Sequence, residues 1–236
     1  MVIRALAFLT ILGRSAPPDP STLRWFPFAG ALIGAMVGGL WWGAEELWSP
    51  ALAAALVVAA DLAITGMLHL DGLTDTADGV LPHLDRDRRL AVMAEPTVGA
   101  FGVGVAVVVL LVRWAAFASL TANVVLVGGL WCVARTVMAV ALRVVPYARE
   151  GGGLASAFVG TRSWFGLALV GATLGLGLGF LATGAGGAAV VVVAAAAGAG
   201  VVALGVLRLG GYTGDVLGAA GMTAETVGLV VAAARW

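Results

Sequence analysis

Three carboxylates lie within eight residues of one another at the end of an apolar run, in the sequence HLDGLTDTADG at residues 69–79. If this segment is helical, Asp75 and Asp78 lie about 40° and about 20° to either side of Asp71, so all three point the same way. Three ionised carboxylates that close repel one another unless a divalent cation lies among them. Oxygen ligands of this kind suit Mg²⁺, which is usually held by one or two carboxylates together with substrate phosphate. The spacing therefore predicts a magnesium site.

His69, in the same run, is a candidate proton acceptor or ligand, and an ordinary hydrogen bond at a helix end is the alternative. Six residues beyond the run, the stretch DRDRR at residues 85–89 contains Arg86 and Arg88, whose forked side chains match phosphate oxygens. The alternative for these arginines is a solvated helix start. Next to a metal site, phosphate binding by these arginines is as good a hypothesis as the solvated helix start.

Two glycine-rich connections add further candidates. In PYAREGGGL, residues 146–154, the triple glycine can wrap backbone N–H groups around an anion and Arg149 supplies positive charge. In LGGYTGDVLG, residues 209–218, Asp215 is a fourth carboxylate at a helix N-terminus. A flexible connector is the alternative for the first stretch, and helix capping by Asp215 is the alternative for the second.

The composition indicates the class of protein whose fold positions these residues. The chain has 236 residues, of which 61% are hydrophobic and 11% are charged, and its mean hydropathy is +1.04. Because a soluble domain has about 25% charged residues, we expect an integral membrane protein in the lipid bilayer, with no nucleic-acid partner. The predicted fold is an all-α polytopic membrane bundle of six to seven transmembrane helices, as one domain over residues 1–236. The single Cys132 excludes a disulfide framework and a thiol metal site.

Arginine placement predicts the topology. The connections at 71–97, 146–163 and 208–215 contain arginines, as does the N-terminal segment 1–24, whereas the alternate connections do not. These four segments are therefore expected in the cytoplasm, so the acidic run and the glycine-rich connections meet on one face. Part of the N-terminal segment reads as a short amphipathic or re-entrant helix. Seven spans are expected, or six if the last is only partly inserted, and the apolar windows are roughly 28–48, 51–70, 98–119, 123–145, 164–183, 187–207 and 216–234.

Charged residues also occur inside the apolar windows. Arg113 and Arg135 lie near the middle of their windows and either pair with Asp61 or extend towards the interface. The segment 164–209 is rich in glycine, alanine and valine, which predicts close helix packing rather than chemistry.

The motifs together resemble one family. Residues 69–79 resemble the HLDGLADTxDG signature of the cobalamin synthase family, the adenosylcobinamide-GDP ribazoletransferases. Residues 86–88, 147–150 and 210–220 are similar to the family's RDR, YAREEGLG and GGxTGDTLGAA motifs, in the same order. The chain departs from the family at residues 94–97, where a basic-Asp-Ser-Arg run is common, and at Met222, where an acid is common. It also lacks the second acid of the YAREEGLG motif.

The resemblance implies a membrane transferase that joins adenosylcobinamide-GDP to α-ribazole or its 5′-phosphate, giving adenosylcobalamin or its 5′-phosphate and GMP. It implies Mg²⁺ as cofactor and the prokaryotic cytoplasmic membrane as location. A homo-oligomer or a complex with other cobamide-assembly enzymes is left open. By this resemblance His69, Asp71, Asp75 and Asp78 are catalytic, and the same three aspartates with Asp215 hold the metal. The residues expected to bind the diphosphate are Arg86, Arg88, Arg149, Thr213 and Gly214.

Two other functions compete with this one. CDP-alcohol phosphotransferases also set aspartates at a membrane boundary, but their DGxxAR signature needs an arginine that is absent after Asp71-Gly72. A transporter that uses Asp61, Arg113 and Arg135 is the third reading. It predicts polar groups near the bilayer midplane and internal repeats, whereas the motifs here gather on one face.

Overall fold

A computed structural model describes residues 1–13, 19–149 and 165–234 as a bundle of helices. The one β contact among these residues is an isolated parallel bridge between Tyr147 and Tyr212, so the expected all-α class is confirmed. The helices are α1 (Val2–Leu9), a short 3-10 helix (Pro20–Trp25), α2 (Phe26–Glu45), α3 (Pro50–Ile64), α4 (Leu68–Val80), α5 (Arg86–Val92), α6 (Ala100–Ser119), α7 (Val124–Val144), α8 (Phe165–Thr183), α9 (Ala185–Leu209) and α10 (Gly214–Ala232).

Six helical segments in the described residues are long and apolar enough to cross a membrane, and they coincide with six of the seven predicted windows. They consist of α2 with the 3-10 helix, and α6, α7, α8, α9 and α10. Helix α10 is among them, so the window at 216–234, for which partial insertion was the alternative, is long and apolar enough for a full span. The seventh span depends instead on α3 and α4, which pass the same test only as a pair bent by 89°.

The bend between α3 and α4 has a local backbone cause. Gly66 and Met67 have φ angles of 58° and 59°, in the left-handed region that interrupts a right-handed helix. A Cβ at Gly66 would lie 2.7 Å from the side chain of Ile11, and the backbone N–H of Ile11 donates to the carbonyl of Ile64 at 2.9 Å. The N-terminal segment therefore packs into the break.

The connection expected at residues 71–97 contains the end of α4 and the whole of α5. The acidic run lies within α4, and the arginines that follow lie in α5. The apolar window at 51–70 contains the break between α3 and α4, where the chain turns by 89°. Helical geometry for residues 71–78, the condition on which the carboxylate argument depended, is confirmed.

Small residues allow the helices to approach closely. Gly30, Gly34 and Gly38 form a four-residue repeat on α2 against α7, and a Cβ at Gly34 would lie 2.5 Å from the carbonyl oxygen of Val127. On α8, Gly171, Gly175 and Gly179 are buried in the same manner, on the side that faces α7 and α9. The packing role predicted for 164–209 is confirmed for its described part.

Four buried charged residues join α3, α6, α7 and α10, and we call them the core ion cluster: Asp61, Arg113, Arg135 and Glu225. Arg113 donates to Asp61 at 2.5 Å and to Glu225 at 3.1 Å, and Arg135 donates to the other oxygen of Glu225. The indole N–H of Trp131 donates to Asp61 at 3.1 Å. Pairing of Arg113 with Asp61 is thus confirmed, whereas the described partner of Arg135 is Glu225. The cluster is electrically balanced, as burial in an apolar bundle requires.

Candidate active site

Close packing of α4 against α10 brings the acidic run to Asp215. A Cβ at Gly72 would lie 2.8 Å from the carbonyl oxygen of Asp215, and a Cβ at Gly218 would lie 3.3 Å from the Cα of His69. Both glycines therefore let the two backbones meet. The first turn of α10 lies against the first turns of α4, and carboxylates from helices far apart in sequence meet there.

The start of α10 is held by capping and by the bridge between Tyr147 and Tyr212. The hydroxyl of the buried Thr213 accepts from the N–H of Val216 at 3.2 Å, which caps the helix, and donates to Asp215 at 3.2 Å. The N–H of Ala148 donates to the carbonyl of Tyr212 at 2.9 Å. This pairing fixes residues 146–149 beside the turn that precedes α10.

Arg149 leaves that segment and lies against Asp215. One of its terminal nitrogens donates to a carboxylate oxygen of Asp215 at 2.9 Å and to the carbonyl of Met93 at 3.0 Å. Its Nε is buried and has no partner among the described residues. Glu150 and the three glycines that follow lie outside the described residues, and the proposed anion loop there is not described.

A cavity of about 350 Å³, which we call the polar pocket, is lined by Asp71, Asp75, Asp215, Arg149 and the backbone stretch 93–98. Asp71 is exposed and Asp75 is half-buried. The carboxylates of both make no hydrogen bond or ion pair with the described residues. The pocket therefore presents carboxylates with free oxygens around a single guanidinium.

A second cavity of about 240 Å³, the apolar pocket, adjoins the first. Asp71, Arg149 and Asp215 line both pockets and form their shared wall. Tyr147 lines the apolar pocket. Burial raises the pKa of its phenol although the charge of Arg149 opposes the shift, so the hydroxyl keeps its proton near neutral pH. The other residues of the apolar pocket come from α1, α2, α4, α7 and α10, and include Phe8, Leu9, Phe26, His69, Met138, Leu142 and Leu217.

Asp78 faces away from both pockets. One of its carboxylate oxygens accepts from the N–H of Gly99 at 2.7 Å and the other from the N–H of Gly102 at 2.9 Å. These are unpaired donors of the first turn of α6, so Asp78 caps that helix. The prediction that Asp71, Asp75 and Asp78 act together used the geometry of α4 alone. In the structure, the N-terminus of α6 binds the carboxylate of Asp78, whereas Asp71 and Asp75 line the polar pocket.

The arginines of α5 are placed mostly on backbone carbonyls. Arg86 donates to the carbonyls of Leu209 and Ala148, at 2.9 and 2.8 Å, which ties α9 to the segment before Arg149. Arg89 is buried and donates to the last carbonyls of α4. These contacts satisfy groups that a helix leaves unpaired at its C-terminus. Arg88 is exposed, and its nearest acid is Glu95 at 3.6 Å.

The predicted site residues thus divide into groups. Asp71, Asp75, Asp215 and Arg149 meet at the polar pocket, while His69 and Gly214 line the apolar pocket. Thr213 caps α10, and Asp78, Arg86 and Arg88 line neither pocket. Sequence reasoning missed the part of α1 and α2 in the apolar pocket, because no local pattern tells which apolar residues face a cavity.

The described residues contain no group of three or more His, Cys, Asp or Glu side chains that could by itself hold a metal ion. The donor set still fits Mg²⁺, since this ion is commonly held by one or two carboxylates, with water and substrate phosphate completing its shell. Asp75 and Asp215 supply such oxygens on opposite helices of the polar pocket.

Comparison with known proteins places the chain in a family. A family model described as cobalamin-5-phosphate synthase matches residues 1–233. A protein of Chlorobium phaeovibrioides named adenosylcobinamide-GDP ribazoletransferase is 35% identical over 94% of this chain and 91% of its own length. Proteins of the same name from Chlorobium chlorochromatii (35% identical, over 92% of this chain and 88% of the relative) and Thermosynechococcus vestitus (42%, over 56% and 58%) are also similar. No solved structure matches the chain. With a family model that covers nearly its whole length, the chain belongs to the cobalamin-5-phosphate synthase family.

Proposed function

We propose that this protein is an adenosylcobinamide-GDP ribazoletransferase of the prokaryotic cytoplasmic membrane. It joins adenosylcobinamide-GDP to α-ribazole, or to the 5′-phosphate of α-ribazole, and releases GMP. Family membership and the names of the relatives support the activity. The observation that carries the proposal is the pair of adjoining pockets with a shared wall of Asp71, Arg149 and Asp215. A reaction between two large substrates needs two compartments that meet at the reacting atoms.

The reaction is a phosphoryl transfer. A ribose hydroxyl of the acceptor attacks the cobinamide-side phosphorus of the diphosphate, a new P–O bond forms, and the P–O bond to the phosphate of GMP breaks. Such chemistry depends mainly on positioning and on neutralisation of negative charge. The polar pocket suits the diphosphate, since Arg149 lines it and arginine matches phosphate oxygens well.

Asp75 and Asp215 are the residues that would hold Mg²⁺ in this pocket. The ion supplies charge neutralisation on phosphate oxygens when bound. Asp78 is left out of this set because both of its oxygens accept backbone N–H groups of α6. Asp71 lines both pockets and is free of other partners in the described part of the chain, so it is the carboxylate placed to take the proton of the attacking hydroxyl.

The competing functions have less support. The family match favours a cobamide transferase over a CDP-alcohol phosphotransferase. A transporter would use the buried charges as a solute site, but Asp61, Arg113 and Glu225 are satisfied by one another in the core ion cluster.

The test is GMP release by the purified protein in detergent or liposomes. We expect release only when adenosylcobinamide-GDP, α-ribazole and Mg²⁺ are all present, and loss of release when the metal is chelated. Asp75→Asn should lower the rate at least about a hundredfold, because a charge that acts on the transferring phosphate is lost. Its thermal unfolding should stay unchanged, since Asp75 has no described partner.

Asp87→Asn is the matched control for Asp75→Asn. Asp87 lies on α5, its side chain is 90% exposed, and its replacement should leave GMP release unchanged. A near-normal rate for Asp75→Asn would contradict the assignment of the polar pocket. Release of GMP without α-ribazole would contradict the proposed transfer.

A further inference from the structure

The apolar pocket has the lining chemistry of a site for an aromatic group. It lies beneath α1, and its inner wall is apolar, with Leu9 and Phe26 fully buried. The rings of Phe8 and Phe26 stack with centroids 6.0 Å apart, and Met138 and Leu142 close the side formed by α7. Its charged residues, Asp71, Arg149 and Asp215, all lie at the shared wall, so an occupant would face charge at that wall and apolar side chains elsewhere.

His69 is the exception on the inner wall. Its side chain is 4% exposed, and neither ring nitrogen has a hydrogen-bond partner among the described residues. Buried polar groups in folded proteins are nearly always satisfied, so an unsatisfied one needs an explanation. A neutral imidazole offers one N–H donor and one acceptor, and here both are buried in a residue that lines the apolar pocket.

The two ends of the pocket match the two ends of a nucleoside. Asp71 at the shared wall, and the protonated phenol of Tyr147 in the apolar pocket, can form hydrogen bonds with ribose hydroxyls. At the inner end, a fused aromatic base would fill an apolar space in which the imidazole is the polar partner. A base joined to ribose through one ring nitrogen of a benzimidazole-type ring keeps a second, unprotonated nitrogen, which accepts one hydrogen bond.

We propose that the apolar pocket binds the base of the acceptor nucleoside, with His69 donating a hydrogen bond to the free ring nitrogen of that base. This rests on the proposed function, since it assigns one of the two substrates to one of the two pockets. His69 is then a specificity residue for the acceptor. The hydroxyl proton is taken by Asp71 at the shared wall, and His69 is not needed for that step.

A substrate analogue tests the hydrogen bond directly. In the indole riboside that corresponds to α-ribazole, C–H replaces the free ring nitrogen while shape is kept. We expect the natural protein to show a KM for this analogue about tenfold above that for α-ribazole, as the loss of one hydrogen bond implies. The KM for adenosylcobinamide-GDP should be the same with either acceptor.

The matched variant is His69→Phe, which keeps a flat ring and removes both nitrogens. We expect it to treat α-ribazole and the indole riboside alike, with a KM ratio near one, because the partner of the ring nitrogen is gone. A merely structural role for His69 would raise both KM values and leave their ratio at the natural value. That unchanged ratio would overturn the proposal.

A second variant probes the pocket without touching the imidazole. Leu142→Phe adds bulk to the wall on α7 and should raise the KM for α-ribazole with little change in the KM for adenosylcobinamide-GDP. Leu181→Phe, on the exposed surface of α8 where Leu181 is 77% exposed, is the control for the same substitution. An equal rise in both KM values for Leu142→Phe would contradict the assignment.

The outcomes also separate this inference from the proposed function. If the natural protein releases no GMP with both substrates and Mg²⁺, the proposed function fails and this inference fails with it. If GMP is released but His69→Phe keeps the natural preference for α-ribazole, only the assignment of the base to the apolar pocket fails.

Discussion

The core ion cluster and the polar pocket use the same residue types, arginine and acid, in opposite ways. In the cluster, Arg113 contacts both Asp61 and Glu225, and the charges neutralise one another away from solvent. In the polar pocket, Asp71 and Asp75 have no described partner, and the single guanidinium, that of Arg149, pairs with Asp215. The difference teaches that crowded charge alone does not mark an active site. What marks it is charge that the protein leaves without a partner beside a cavity.

The comparison predicts that substitutions in the two regions affect different properties. Loss of an acid in the polar pocket, as in Asp75→Asn, should lower activity and leave the free energy of unfolding unchanged. Loss of an acid in the core ion cluster should mainly lower the free energy of unfolding, because it leaves a buried arginine without its counter-ion.

The largest effect on stability is expected for Glu225→Gln. This change removes the acid shared by Arg113 and Arg135, and an unpaired buried charge costs about 3–5 kcal/mol. Thermal or denaturant unfolding in detergent measures the loss. Glu46→Gln, at the exposed end of α2, is the control. Equal stability of the two variants would show that the cluster does not hold α6, α7 and α10 together.

An intermediate effect is expected for Asp78→Asn. The amide keeps one acceptor oxygen but cannot accept from the N–H groups of both Gly99 and Gly102. The free energy of unfolding should therefore fall by about 1–2 kcal/mol. GMP release by the folded protein should remain near the natural rate. A rate as low as that of Asp75→Asn would instead place Asp78 among the metal ligands, as the sequence first indicated.

The smallest effect is expected for Arg88→Gln. Arg88 is exposed and its contact with Glu95 is an ordinary surface pair, so the free energy of unfolding should change by less than about 0.5 kcal/mol. The KM for adenosylcobinamide-GDP should not change. Arg149→Gln is the comparison variant, and there that KM should rise about tenfold or more. A similar rise for Arg88→Gln would mean that Arg88 reaches the diphosphate.

Much of the fold follows from local sequence. Six of the seven apolar windows became helices with bounds close to those predicted, because burial of backbone polar groups in an apolar environment forces helical hydrogen bonding. The bend in the remaining window was missed, since it depends on positive φ angles at Gly66 and Met67 and on contact with Ile11. A glycine in a helix does not by itself reveal a break.

The site was only partly predictable for a related reason. Asp71, Asp75, Asp215 and Arg149 were identified from residue type and spacing, and the structure brings them together. Spacing also grouped Asp78 with the other acids and gave phosphate roles to Arg86 and Arg88. A neighbouring helix end binds Asp78, and distant carbonyls bind Arg86. Arg88 is exposed beside Glu95.

Sequence by itself determined that this chain is a helical membrane protein with a cluster of aspartates at the end of an apolar run, and the order of its motifs indicated its family. Those properties depend on composition and on the helical period, which are local. Only the tertiary structure decided which charges are satisfied and which are left free, and that His69 faces a cavity beneath α1. These depend on side chains from helices distant in sequence, and no pattern along the chain records which partners they find.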